Sequence, residues 1–109
     1  MKKIKIEIPI FQKELTIILD EDLSYIENKY KTIPLGNFGA VTMADENKYG
    51  HYIVAFTDKT HLSNIAHEIV HIKNHIYLDC AMEVDRQNDE TEAYLTGWLF
   101  DQIYNAINK

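Results

Sequence analysis

Five residues in the second half of the chain, His67-Glu68-Ile69-Val70-His71, have types and a spacing that can do chemistry. On a helix, residues four apart sit about 40° apart around the axis and roughly 6 Å along it. Two imidazoles so placed can converge on one ion at about 2.0–2.1 Å from each nitrogen, the distance zinc requires. Glu68 is turned about 100° from His67, so it can stand beside such an ion without being a ligand. There it is placed to take a proton from a metal-bound water. From this chain's own His and Glu frequencies, the pattern would arise by accident with a probability of roughly 2%. A helix whose polar face happens to hold Asn64, His67, Glu68, His71 and His75 would read the same way, so a third ligand decides the matter.

A catalytic zinc takes three protein ligands and leaves one position for water. Downstream, Asn88-Asp89-Glu90-Thr91-Glu92-Ala93-Tyr94 opens another helical stretch with two acidic candidates, Glu90 and Glu92. Glu90, Ala93, Tyr94, Gly97 and Asp101 form one stripe at helical spacing, and it holds the small residues Ala93 and Gly97. Small residues permit close helix contact, so this stripe is expected to face the histidines. Glu92 instead leads Leu95, Thr96, Leu99 and Ile103, which has the composition of core. The reading therefore favours Glu90, although either carboxylate would also stabilise a helix N-terminus. His75 continues the histidine row but would lie about 12 Å from His67, which fits a solvated polar face. His61 begins the helix and reads as a capping or surface residue.

The elements that must position these groups follow from periodicity. Ile4, Ile6, Ile8 and Ile10 alternate with Lys3, Lys5, Glu7 and Pro9, and Leu15, Ile17 and Leu19 repeat the period, which predicts a hairpin. Asp20-Glu21-Asp22 opens a short helix with Leu23, Ile26 and Tyr30 inward. Phe38 to Ala44 and His51 to Thr57 read as strands around the turn from Asp45 to Gly50. From about Thr60 the period becomes helical. Leu62, Ile65, Ala66, Ile69 and Ile76 form one stripe, with Asp58 or Thr60 available as a cap. After a polar segment from Asp79 to Asn88, a last helix spans about Asp89 to Asn108, with Leu95, Trp98, Leu99, Ile103 and Ile107 apolar. Strands first and helices last predict an α+β domain over residues 1–109, its helices on one face of a small antiparallel sheet.

Composition narrows the function classes. The chain has 109 residues, 46% apolar and 26% charged, which suits one folded domain. Eleven Lys+Arg against seventeen Asp+Glu give a net charge of −6, which disfavours nucleic acid as a partner. No apolar run approaches the ~20 residues of a membrane span, and Met1-Lys2-Lys3 leads into alternation, so a cytoplasmic protein is expected. Cys80 is the sole cysteine, which excludes an internal disulfide or a cysteine-based zinc cluster. Four of the five histidines fall between His61 and His75.

With its HExxH run and an acidic second helix, the sequence resembles the zincin metallopeptidases of the glutamate-ligand type. In several of those families the third ligand lies in an E-x-x-A pattern, and Glu90-Thr91-Glu92-Ala93 matches it at Glu90. Asn88-Asp89-Glu90, then Ala93-Tyr94-Leu95 and Gly97-Trp98, resembles a helix of small phage and prophage proteins that carry a histidine motif. The likeness covers about Thr60 to Trp98. It implies a zincin-like fold with one Zn2+ held by His67, His71 and Glu90, and Glu68 as the general base in peptide-bond hydrolysis. It also implies that the strand before the metal helix, here His51 to Phe56, lies along a peptide or protein substrate. Position 74 is asparagine and 77 tyrosine, so the H-E-x-x-H-x-x-G-x-x-H ligand set is absent. Tyr94 stands where some relatives place an aspartate. Candidates for stabilising an oxyanion are Tyr49, Tyr52, His61 and Tyr94. The competing expectation is a non-catalytic, zinc-stabilised phage protein that binds a host protein.

Overall fold

Two segments of this chain are too apolar to tolerate a solvated face. In Lys13–Leu19 (β2) and His51–Phe56 (β4), almost every residue from Leu15 to Ile18 and from Tyr52 to Phe56 is buried. Such strands belong inside a sheet covered on both faces. In the computed structural model, which describes residues 1–36, 38–58 and 60–109, they are the two inner strands of a four-stranded sheet. Lys2–Ile8 (β1), with its lysines alternating outward, and Ala40–Ala44 (β3) form the edges, giving the order β1-β2-β4-β3.

Both expected hairpins form: β1 pairs antiparallel with β2, as in Ile6 opposite Leu15, and β3 with β4, as in Thr42 opposite Val54. The sheet is nevertheless mixed and not antiparallel throughout. β2 and β4 run parallel, with Leu15 opposite Tyr52 and Leu19 opposite Phe56. The short helix Ser24–Tyr30 (α1) and the segment after it carry the chain back before β3 begins, so β4 returns in the direction of β2. This arrangement buries the most apolar strand between two neighbours. It also means that His51 to Phe56 has no free edge for a peptide. The free edge on that side is β3.

Helices cover both faces of the sheet, where the sequence pattern alone places them on one. Leu62–Asp79 (α2) and Glu90–Ile107 (α3) pack Ile65, Ile69, Ile72, Ile76, Leu95, Leu99 and Ile103 against Leu15, Ile17, Tyr52, Val54 and Phe56. On the other face, Leu23, Ile26 and Leu35 cover Ile18, Ile53 and Ala55. Burial of these side chains, each worth about 1.5–3 kcal/mol, is the main force holding the layers together. Leu62 and Ala66 lie outside the buried stripe of α2, whose centre runs through Ile65, Ile69, Ile72 and Ile76. Ile10 likewise leaves the alternation: β1 ends at Ile8, and Ile10 sits in the turn. Among the described residues no helix is long and apolar enough to cross a membrane.

Candidate metal centre

The start of α2 is tied to the start of β3. The Gly39 carbonyl accepts hydrogen bonds from the Thr57 amide at 3.0 Å and from the Thr57 and Thr60 hydroxyls at 3.1 Å each. His61, not Asp58 or Thr60, is the N-cap residue, and its amide donates to Asn64 Oδ1 at 2.8 Å. Capping in this way satisfies a donor that the helix itself leaves unpaired. α2 is thereby held alongside edge strand β3, and its polar side forms one wall of a groove of about 530 Å³ whose other wall is Gly39 to Thr42.

His67 and His71 project from α2 into this groove with their rings edge to face, 72° between planes. Their Nε2 atoms are 3.2 Å apart. Two nitrogens bound to one tetrahedral zinc at about 2.0–2.1 Å would be about 3.3–3.4 Å apart, so the observed separation fits a shared ion. Both rings are exposed, as metal entry requires.

Glu68 is the only buried charged residue among those described, 5% exposed. Its Oε1 accepts a hydrogen bond from the Thr42 hydroxyl at 2.8 Å. Burying a carboxylate is costly unless donors replace water, and Thr42 is the donor here. Sequence reasoning missed Thr42. The signal was present: Val41 and Met43 pack with the α1 side, so the residue between them faces α2, and it is polar.

Glu90 is not brought to the histidines. It is exposed on the first turn of α3, and no α3 residue lines the histidine groove. The rotation of α2 explains this. Lys73 lies about 140° around α2 from the midpoint of His67 and His71, and Lys73 Nζ contacts Glu92 Oε2 on α3 at 2.8 Å. α3 therefore packs on the flank of α2 away from the histidines. Glu92 serves this helix contact, while Ala93, Tyr94 and Gly97, expected to face α2, are exposed. Among the described residues, no three His, Cys, Asp or Glu side chains converge as a metal-holding group.

None of the remaining histidine and tyrosine candidates joins His67 and His71 as a metal-holding group among the described residues. His75 lines the far end of the groove and stacks on Tyr52, ring centroids 5.7 Å apart. Tyr52 donates to Asp79 Oδ2 and Tyr49 to the Asp79 carbonyl, both at 2.6 Å. Burial, then the hydrogen bond to Asp79, pushes the Tyr52 phenol well above its ordinary value. Neither hydroxyl faces the groove as an oxyanion donor, and neither His61 nor Tyr94 lines it. Comparison with protein-family profiles, with curated proteins and with solved structures finds no match to this chain.

Proposed function

We propose that this protein is a zinc-dependent hydrolase of peptide bonds, with His67 and His71 holding the ion and Glu68 acting as the proton-transfer group. The observation that supports the reading is the 3.2 Å approach of the two Nε2 atoms beside a buried glutamate in one open groove. His67 and His71 supply two of the three protein ligands a catalytic zinc takes; no α3 residue, Glu90 included, lines the groove, so the remaining positions would fall to water or substrate. A zinc ion bound there would supply a Lewis acid and lower the pKa of water in its coordination shell.

The chain's own residues supply the rest. Thr42 fixes one oxygen of Glu68, which leaves the other free to accept a proton from an attacking water and to deliver it to a leaving amine. β3 pairs with β4 on one side alone, so its outer edge presents unpaired backbone groups beside the groove. An extended peptide can add to that edge by main-chain hydrogen bonds. This assigns to β3 the substrate-pairing role that the resemblance to zincins implies for His51 to Phe56.

The test is to compare zinc content and peptide-library hydrolysis of the parent and Glu68→Gln. The variant should keep zinc and lose at least about 10²-fold in rate, because glutamine cannot accept the proton. A parent chain that takes up no zinc refutes the proposal. Stoichiometric zinc without hydrolysis by the parent returns the protein to the non-catalytic, host-binding class.

A further inference from the structure

The turn joining β1 to β2 holds an isoleucine where isoleucine is poorly suited. Ile10 has φ +70° and is 93% exposed. A β-branched residue in the left-handed region is strained, and this one recovers nothing by burial. Across from it stands the outward stripe of α3, with Tyr94 76% exposed and Trp98 half-buried. Between turn and helix runs a groove of about 810 Å³, lined chiefly by apolar groups. Gly97 keeps the helix side of it open: a Cβ there would meet nothing within 4 Å. Exposed apolar surface of this extent, with aromatic anchors, is the mark of a binding site.

Charge selects the occupant. Asp101 is the one charged residue lining the groove, Glu90 lies on the same stripe of α3, and α3 has no lysine or arginine. We infer that this groove docks an amphipathic helix from a partner protein, its apolar face seated between Ile10 and Trp98 and its flanking lysines or arginines meeting Asp101 and Glu90. Helix-in-groove recognition uses apolar side chains for affinity and charge at the rim for selection. A second copy of this chain fits less well, because it would set a carrier of net charge −6 against another of the same sign. The inference shares no residue with the histidine groove and stands apart from the hydrolase reading.

Trp98 is the only tryptophan of the chain and lines the groove, so its fluorescence reports occupancy directly. The full chain is titrated with an 18-residue, tryptophan-free helical peptide of leucine and lysine, and with its leucine–glutamate counterpart. The lysine peptide should shift Trp98 emission to the blue and saturate at one per chain, whereas the glutamate peptide should not. Asp101→Lys should weaken binding by about fivefold to tenfold at low salt. Ile10→Asp should abolish it with circular dichroism unchanged, since Ile10 contributes no burial. No shift with either peptide, or equal binding of both, overturns the inference. A shift on neutral phosphatidylcholine vesicles, or concentration-dependent dimerisation by sedimentation with the same shift, overturns it in favour of lipid or a second copy.

Discussion

Thr42→Val tests whether the edge strand holds the glutamate of the candidate centre. Valine keeps the shape of threonine and removes only the hydroxyl that donates to Glu68 Oε1 at 2.8 Å. Glu68 is 5% exposed, so water cannot freely replace that donor. A hydrogen bond to a charged group contributes about 1.5–3 kcal/mol, and a buried acceptor left without it loses most of that amount. For a domain of roughly this size, each kcal/mol moves the melting temperature by about 4–8 °C, so a fall of about 6–24 °C is expected. Thr42→Ser is the control. It keeps the donor and loses one methyl group, about 0.8 kcal/mol. Urea unfolding at matched m-values gives the difference between the two variants directly. In a Glu68→Gln background the acceptor is neutral, its bond contributes only about 0.5–1.5 kcal/mol, and the Val substitution should cost correspondingly less. Zinc content should not change, because the hydroxyl meets Glu68 and not the histidines. Thr42→Val proving as stable as Thr42→Ser would refute the reasoning: Glu68 would then be held by something other than β3.

Other outcomes follow from the same geometry. His71→Ala should lose zinc by elemental analysis while Glu90→Gln retains it, and the reverse would restore Glu90 as a ligand. Glu92→Gln breaks the partly buried pair with Lys73, at 2.8 Å, and should lower stability by about 1 kcal/mol in denaturant titration without touching zinc content. Ile10→Asn, which suits the left-handed region, should raise stability by about 0.5–1 kcal/mol, and a loss would show that the turn is not strained there. Tyr52, held neutral by burial and Asp79, keeps its proton in the folded state above the ordinary tyrosine pKa near 10. Its contribution is fully present below pH 10 and is lost as pH rises beyond, so Tyr52→Phe should flatten the alkaline limb of the stability curve.

The elements were legible because each rests on a local period. The hairpin of β1 and β2 and the pair β3 and β4 emerge from alternation bounded by polar turns, and α2 and α3 from apolar spacing; α3 is displaced from its expected bounds by a single residue at each end. Ile10 continues the alternation, and alternation cannot announce the turn that ends pairing at Ile8. Parallel pairing of β2 with β4 is a non-local choice, and alternation is blind to strand direction. A clue lay in composition: Tyr52 to Phe56 is apolar at every position, which a strand with one solvated face would not be. That same run implied cover on the second face, which α1 and Leu35 supply.

The ligand question shows where a helical wheel stops. Spacing sorts the residues of α3 into stripes, but it carries no information about which flank of α2 the helix will occupy. Small residues at Ala93 and Gly97 suggest a close helix contact, yet smallness also describes a side left open. The contact was in fact written in charge, on Lys73 and Glu92, which share the buried flanks of their helices while the histidines and Glu90 do not. Pairing α2 and α3 through Lys73 and Glu92 leaves the histidines to β3 and the apolar stripe of α3 to the β1–β2 turn. The rotation that withholds Glu90 from the histidine groove is therefore the rotation that opens the groove at Trp98. A single swap of the pair, Lys73→Glu with Glu92→Lys, should preserve this rotation, leaving both zinc content and peptide-induced Trp98 emission unchanged. Loss of both readouts together in that double variant, with the fold intact by circular dichroism, would show that the pair does not set the helix rotation as argued.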